Sequence, residues 1–214
     1  MPRTPALSIT DRCILALDSA LATVVRGGAR AGRDYPAESA NQALSEGERR
    51  HSAGLMRVNH AGEIAAQALY NGQALTARDA ALRSHLYRAA DEENDHLAWC
   101  ERRLSELHSR PSRLAPVWYC GSLGIGALAG AIGDRWSLGF IAETENQVVA
   151  HLDGHFAALP QSDTRSREIV HRMREDEARH AREALSAGGQ KLPFPVQKLM
   201  QLTAKIMTST AYYV

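Results

Sequence analysis

Two short stretches, EENDH at residues 92–96 and DEARH at residues 176–180, each place a Glu three residues before a His: Glu93 with His96, and Glu177 with His180. On a helix this step puts a carboxylate and an imidazole on one face, one turn apart. A single such step means little, because charged helix surfaces produce it by chance. The constraint comes from where the two steps fall. In the first helix an apolar line runs through Leu82, Leu86, Ala89, Leu97, Cys100 and Leu104, and Glu93 with His96 interrupts it. In the second, Val170, Met173 and Ala184 form the line, and Glu177 with His180 interrupts it. Ionisable groups on a buried stripe are costly unless they are paired or coordinated. Two interruptions of the same form point to an internal site shared by two helices.

Strand signals are scarce, and apolar residues recur at helical spacing through most of the chain. A short first helix is expected from about Asp11 to Val25, followed by a Gly/Arg-rich linker, RGGARAGRDYP. A long helix opens at a capping box, Ser45 with Glu48, and reaches about Ala74; a second box, Thr76 with Asp79, opens a helix that runs to about Leu107. The next twenty residues, 114–133, carry no charged side chain. Further helices are expected from about Asp134 to Leu159-Pro160, from the Ser162/Asp163 cap to Gly188-Gly189, and over roughly Val196 to Thr208. Residues 1–43 read as an N-terminal helix and linker, and residues 44–214 as one helical domain.

Helical rise supplies partners for the two steps. From Glu63 to the turn at Thr76 is thirteen residues, about 20 Å, and from Asp79 to Glu93 is fourteen, about 21 Å. An antiparallel pair therefore sets Glu63 level with Glu93. Glu145 to Pro160 spans about 22 Å and Asp163 to Glu177 about 21 Å, which sets Glu145 level with Glu177. Glu143 is the rival to Glu145, but only Glu145 continues the stripe of Ile141, Val148 and Leu152. The outcome is one Glu from each of two helices and a Glu-x-x-His from each of the other two. This is the ligand set of ferritin-like dimetal four-helix bundles, and it names Glu63, Glu93, His96, Glu145, Glu177 and His180 as metal ligands. Four carboxylates neutralise two divalent ions, and hard oxygen donors with two imidazoles suit iron or manganese. Asp176 and Glu92 are candidate acceptors for the outer N–H of His96 and His180 respectively. His151 lies near the level of Glu145, either as a supporting group or as a satisfied core histidine.

Composition sets outer limits. The formal net charge of +1 gives no field that would hold nucleic acid. Cys13, Cys100 and Cys120 form no CxxC pair, which excludes a rubredoxin-like iron site and favours a reducing compartment. The start, MPRTPALSITDRC, has no charged head and apolar run of a secretory signal.

RVNHAGEIAA around Glu63, DEENDH, ETENQVVAHLDGH around Glu145 and MREDEARH together resemble the demethoxyubiquinone hydroxylases of ubiquinone biosynthesis, from about Leu44 to the C-terminus. DEARH also resembles the D-E-x-R-H signature of bacterial di-iron monooxygenases, with Arg179 as a supporting residue. The resemblance implies two Fe ions on the same six residues and O2 as co-substrate. It implies a polyprenylated quinol as substrate, with electrons from NADH or another external reductant. One oxygen atom would enter the ring and the other would leave as water. A peripheral place on the cytoplasmic face of the cell membrane is expected, with a lipid-presenting or ubiquinone-biosynthesis protein as a partner.

The uncharged stretch fits a substrate with a greasy tail. It is long enough to approach a membrane span, but it is Gly-rich and falls between the two hairpins. A long crossover that also rests in the membrane surface is the expected form. The last helix, with Lys198 and Lys205 on its polar side, would either join that surface or pack on the bundle. Two alternatives stay open: a ferritin- or rubrerythrin-like protein that stores iron or scavenges peroxide, and a non-catalytic helical lipid-binding protein.

Overall fold

The computed structural model describes residues 9–24, 31–40 and 43–214. Residues 26–30 of the Gly/Arg-rich linker fall outside them. Seven helices follow one another: α1 (Ile9–Val24), α2 (Glu46–Thr76), α3 (Ala80–Glu106), α4 (Ala115–Ile132), α5 (Asp134–Ala158), α6 (Thr164–Ser186) and α7 (Phe194–Ala211). Two hairpins, α2–α3 and α5–α6, make a ferritin-like four-helix bundle.

The helix starts follow local chemistry. Ser45 closes a reciprocal capping box with Glu48: each side chain takes the other residue's backbone N–H. Asp79 caps α3 alone, accepting from Ala81 N at 2.6 Å and Leu82 N at 3.0 Å. Thr76 is not part of a box with it. It ends α2, and its hydroxyl donates to Ala127 O of α4 at 3.0 Å, a tertiary bond that competes with capping. Asp163 caps α6 through Ser166 N at 3.0 Å, and the fully buried Arg103 of α3 donates to it at 2.7 Å, tying the two helices.

α3 and α6 end in the same turn. Ser109 N bonds Leu104 O and His108 N bonds Ser105 O; Gly189 N bonds Ala184 O and Gly188 N bonds Leu185 O. The left-handed position is Gly188 (φ 99°) in α6 but His108 (φ 54°) in α3.

The uncharged stretch is a helix, α4, that lies along α2 and connects the hairpins without dividing the bundle. Glycine allows this contact: a Cβ on Gly72 would stand 2.7 Å from Ala127 N, and one on Gly126 would stand 2.9 Å from Leu69 Cα. α4 is long and apolar enough to cross a membrane by length and composition, and its outer face leaves Val117, Leu128 and Ile132 exposed. α1 rests on α2 and α4, and α7 on α2 and α5, with Leu199, Leu202 and Ile206 of α7 facing outward. Residues 31–40 cross α3 and α6: Tyr35 donates to Glu106 at 3.3 Å, and Ser39 bonds Glu168.

Two apolar layers fill the bundle. One holds Met56, Trp99, Cys100, Leu152, Val170 and Met173; the other holds Tyr70, Ala74, Leu86, Ala89, Ile141 and Ala184. In all four helices the residues between these layers are the interrupted ones: Glu63, then Glu93 with His96, then Glu145, then Glu177 with His180.

Candidate metal centre

All six of these side chains are buried. Glu63, Glu93, His96 and Glu177 can each offer a ligand atom with all four atoms inside 4.8 Å of one another. His96 Nδ1 is the hub, at 3.0 Å from Glu177, 3.2 Å from Glu93 and 3.4 Å from Glu63. His180 Nδ1 enters from the other side, 3.3 Å from Glu177 and 3.7 Å from Glu93. Glu145 completes the ring beside Glu177, and Tyr70 donates to its Oε1 at 2.6 Å. Glu143 points elsewhere and accepts from Gln147 at 2.7 Å.

Both imidazoles turn Nδ1 inward and spend Nε2 outside the cluster. His96 Nε2 lies 3.1 Å from Asp176 of α6, and His180 Nε2 lies 2.9 Å from Glu92 of α3. Each ring is therefore oriented by a carboxylate from the opposite helix. Arg179 reaches both of these carboxylates, Glu92 at 3.2 Å and Asp176 at 3.4 Å. His151 sits apart: its ring lies tilted against that of His155, centroids 3.9 Å apart, and its Nε2 has no hydrogen-bond partner. His155 in turn holds Asn59 at 2.7 Å.

The electrostatics are those of an acidic site inside an apolar core. Burial, with Glu93 and Glu177 nearby, pushes Glu63 well above the usual carboxylate range. Burial and the same two neighbours push Glu145 up, against the Tyr70 hydrogen bond. Burial also works against charge on Glu177, but His180 and His96 outweigh it and hold that carboxyl low. For His180, burial is outweighed by Glu177, Glu93 and Glu92, and the imidazole is pushed up to about 9. Glu93 Oε1 and Glu145 Oε2 are buried with no hydrogen-bond partner, and Glu177 Oε1 meets only His96 Nδ1, at 3.0 Å. Buried carboxylate oxygens rarely remain unpaired, so two in one acidic cluster fit cation ligands. The donor set of four carboxylates and two Nδ1 atoms suits two hard divalent ions such as iron or manganese.

Sequence reasoning missed three contributors. Tyr70 carried a usable signal, since it stands two turns beyond Glu63 on the same face of α2. Asp95 is buried one residue before His96, and Gly32 N donates to it at 2.6 Å. Arg33 bonds Asp95 and donates to Asp176 at 2.7 Å. Nothing local in the sequence flags Arg33, because it meets partners 62 and 143 residues away.

The family model described as Ubiquinone biosynthesis protein COQ7 matches residues 50–211. The chain is 55% identical to the 3-demethoxyubiquinol 3-hydroxylase of Ralstonia pickettii, covering 94% of this chain and 98% of the relative. It is 57% identical to the protein of the same name from Bordetella parapertussis, covering 95% and 92%. With that from Chromobacterium violaceum it shares 54%, covering 95% and 99%. These alignments cover 94–95% of the chain, so they extend into the N-terminal segment, beyond the Leu44 limit of the motif resemblance.

Proposed function

The chain belongs to the Ubiquinone biosynthesis protein COQ7 family, and from that membership we propose that it is a di-iron 3-demethoxyubiquinol 3-hydroxylase. The observation that carries the chemistry is the ring of four carboxylates and two Nδ1 atoms, two of its oxygens unpaired, between two apolar layers. The ligands would be Glu63, Glu93, His96, Glu145, Glu177 and His180, the catalytic set acting through the metals. When bound, two iron ions would supply reductive activation of O2. The balance is one ring C–H, O2, two electrons and two protons giving a ring C–OH and water.

The chain's own residues do the remaining work. Asp176 and Glu92 accept the Nε2 protons of His96 and His180, which leaves each Nδ1 lone pair aimed inward. Tyr70 holds one oxygen of Glu145 and leaves the other free. The apolar layers above and below keep water from the site, which strengthens every charge interaction there.

A polyprenylated quinol is the substrate of this reading, with NADH or another external reductant supplying electrons. The outward apolar side chains of α4 and α7, with Ile14, Leu17 and Leu21 of α1, support a peripheral place on a membrane, which this reading puts on the cytoplasmic face of the cell membrane. That surface also suits a lipid-presenting partner protein. In this reading residues 44–214 form the hydroxylase domain. Iron storage and non-catalytic lipid binding give no reason for a family match of this extent.

Two measurements test the proposal. Purified protein should bind two Fe per chain, and a strain deleted for the gene should accumulate the demethoxy precursor of its quinone. An unchanged quinone profile would remove the activity.

A further inference from the structure

The two ligand helices each deliver a His whose Nε2 meets a carboxylate on the other helix, but those carboxylates sit in different surroundings. Glu92 is 43% exposed and shares its charge with solvent. Asp176 is 4% exposed, next to an already acidic cluster, where an unpaired negative charge is costly. Asp95, directly before His96, is also buried.

One guanidinium meets both. Arg33 Nε bonds Asp95 of α3, and Nη1 bonds Asp176 of α6 at 2.7 Å. The bridge thus joins the residues immediately before ligands His96 and Glu177. The backbone supports the grip, since the N–H groups of Gly32 and Arg33 lie 2.6 Å and 3.3 Å from Asp95 Oδ1. The Arg33 Cζ lies 4.8 Å over the Trp99 ring, and Trp99 packs 5.3 Å from the ring of His96. Farther along the strap, Tyr35 and Ser39 anchor it to Glu106 and Glu168. A planar fork can satisfy carboxylates on two helices at once in fixed geometry; an ammonium brings the charge and three rotatable donors but not that geometry.

We propose that Arg33 is a positioning residue for the His96 half of the centre, and that residues 31–40 are the strap that delivers it. By fixing Asp95 and Asp176 relative to each other, Arg33 sets the angle between α3 and α6 at the site. It also holds Asp176 where it orients the His96 ring. The inference rests on the six-ligand centre of the preceding section.

The test uses full-length protein carrying Arg33→Met, Arg33→Lys or Ser39→Ala. Fe(II) is titrated without oxygen, the diferrous Mössbauer spectrum is recorded, and thermal unfolding monitors the fold. Arg33→Met should weaken one of the two iron sites by roughly 10- to 100-fold, the usual cost of losing an outer partner of a metal ligand, and shift the doublet of one iron only. Arg33→Lys should recover part of the affinity but not the wild-type doublet. Ser39→Ala, which removes only the far anchor to Glu168 and leaves Arg33 held by Asp95, Asp176 and the neighbouring backbone N–H groups, should match wild type in both. The proposal is overturned if Arg33→Met and Arg33→Lys both keep wild-type affinity and spectrum, or if Ser39→Ala shows the same loss. Arg33→Lys decides the matter should Arg33→Met not fold. Wild-type protein that takes up no iron would instead overturn the dimetal reading itself.

Discussion

The half-site built on His96 and the half-site built on His180 share one local motif and one arginine, Arg179, but differ in how deeply the outer carboxylate is buried and in what else holds it. His96 Nε2 meets a carboxylate sealed from solvent and clamped by a strap from the N-terminal region. His180 Nε2 meets a half-exposed one whose partner, Arg179, is itself on the surface. Identical spacing on a helix therefore fixes which side chains face inward but not the dielectric in which they work. An ion pair in water is worth little, whereas a buried one must be completed or it costs the fold. Identical substitutions on the two sides should accordingly have unequal effects.

The largest expected effect abolishes the comparison by removing what both halves share. Glu145→Ala should lose metal and all hydroxylation, measured as iron per chain and as turnover of the demethoxy substrate, while Glu143→Ala should keep both. Equal loss in the two variants would show that the choice between these glutamates is wrong.

Asp176→Asn against Glu92→Gln probes the asymmetry directly. Fe(II) affinity should fall roughly 10- to 100-fold in the first, at the scale typical of outer partners of metal ligands, and only a few-fold in the second, whose carboxylate water can partly replace. Comparable losses would mean that burial does not separate the halves.

A buried histidine outside the centre supplies the control for acid sensitivity. Burial, with His151 and His51 nearby, holds His155 down to about 3, against about 6.5 in an unfolded chain. Between those values the unfolded state binds the extra proton, so stability falls as pH drops from 6.5 towards 3, by roughly 1.4 kcal/mol per unit. His155→Gln should flatten that part of the denaturation profile, and an unchanged slope would assign acid lability to other groups.

The smallest effect concerns how the two ligand helices end. α3 carries His108 where α6 carries Gly188, in the same left-handed position. His108→Gly should raise stability by about 0.5–1 kcal/mol and Gly188→His should lower it by a similar amount, read as shifts of a few degrees in Tm. Opposite signs in either variant would mean that the side chain outweighs the backbone there.

Much of this molecule is legible along the chain. Helix spans fall within a few residues of the periodicity, and the Ser45 and Asp163 caps stand where expected. Thr76 is the exception, because its hydroxyl serves α4, an element the local pattern cannot see. The six clustered side chains could be grouped from sequence because a helix advances by a fixed rise, so two short turns determine which positions come level. Tyr70 could have been found by the same rule.

What the sequence by itself determined is therefore what the helical repeat controls: the bundle, its inward faces and the level at which charged residues interrupt them. The tertiary structure alone decided that α4 runs along α2 through facing glycines, and that one histidine partner is buried while the other is exposed. It also decided that Arg33 closes the gap between α3 and α6. Each of these depends on which distant segments the chain path brings together, and a contact across 62 or 143 residues leaves no periodic trace in the residues that make it.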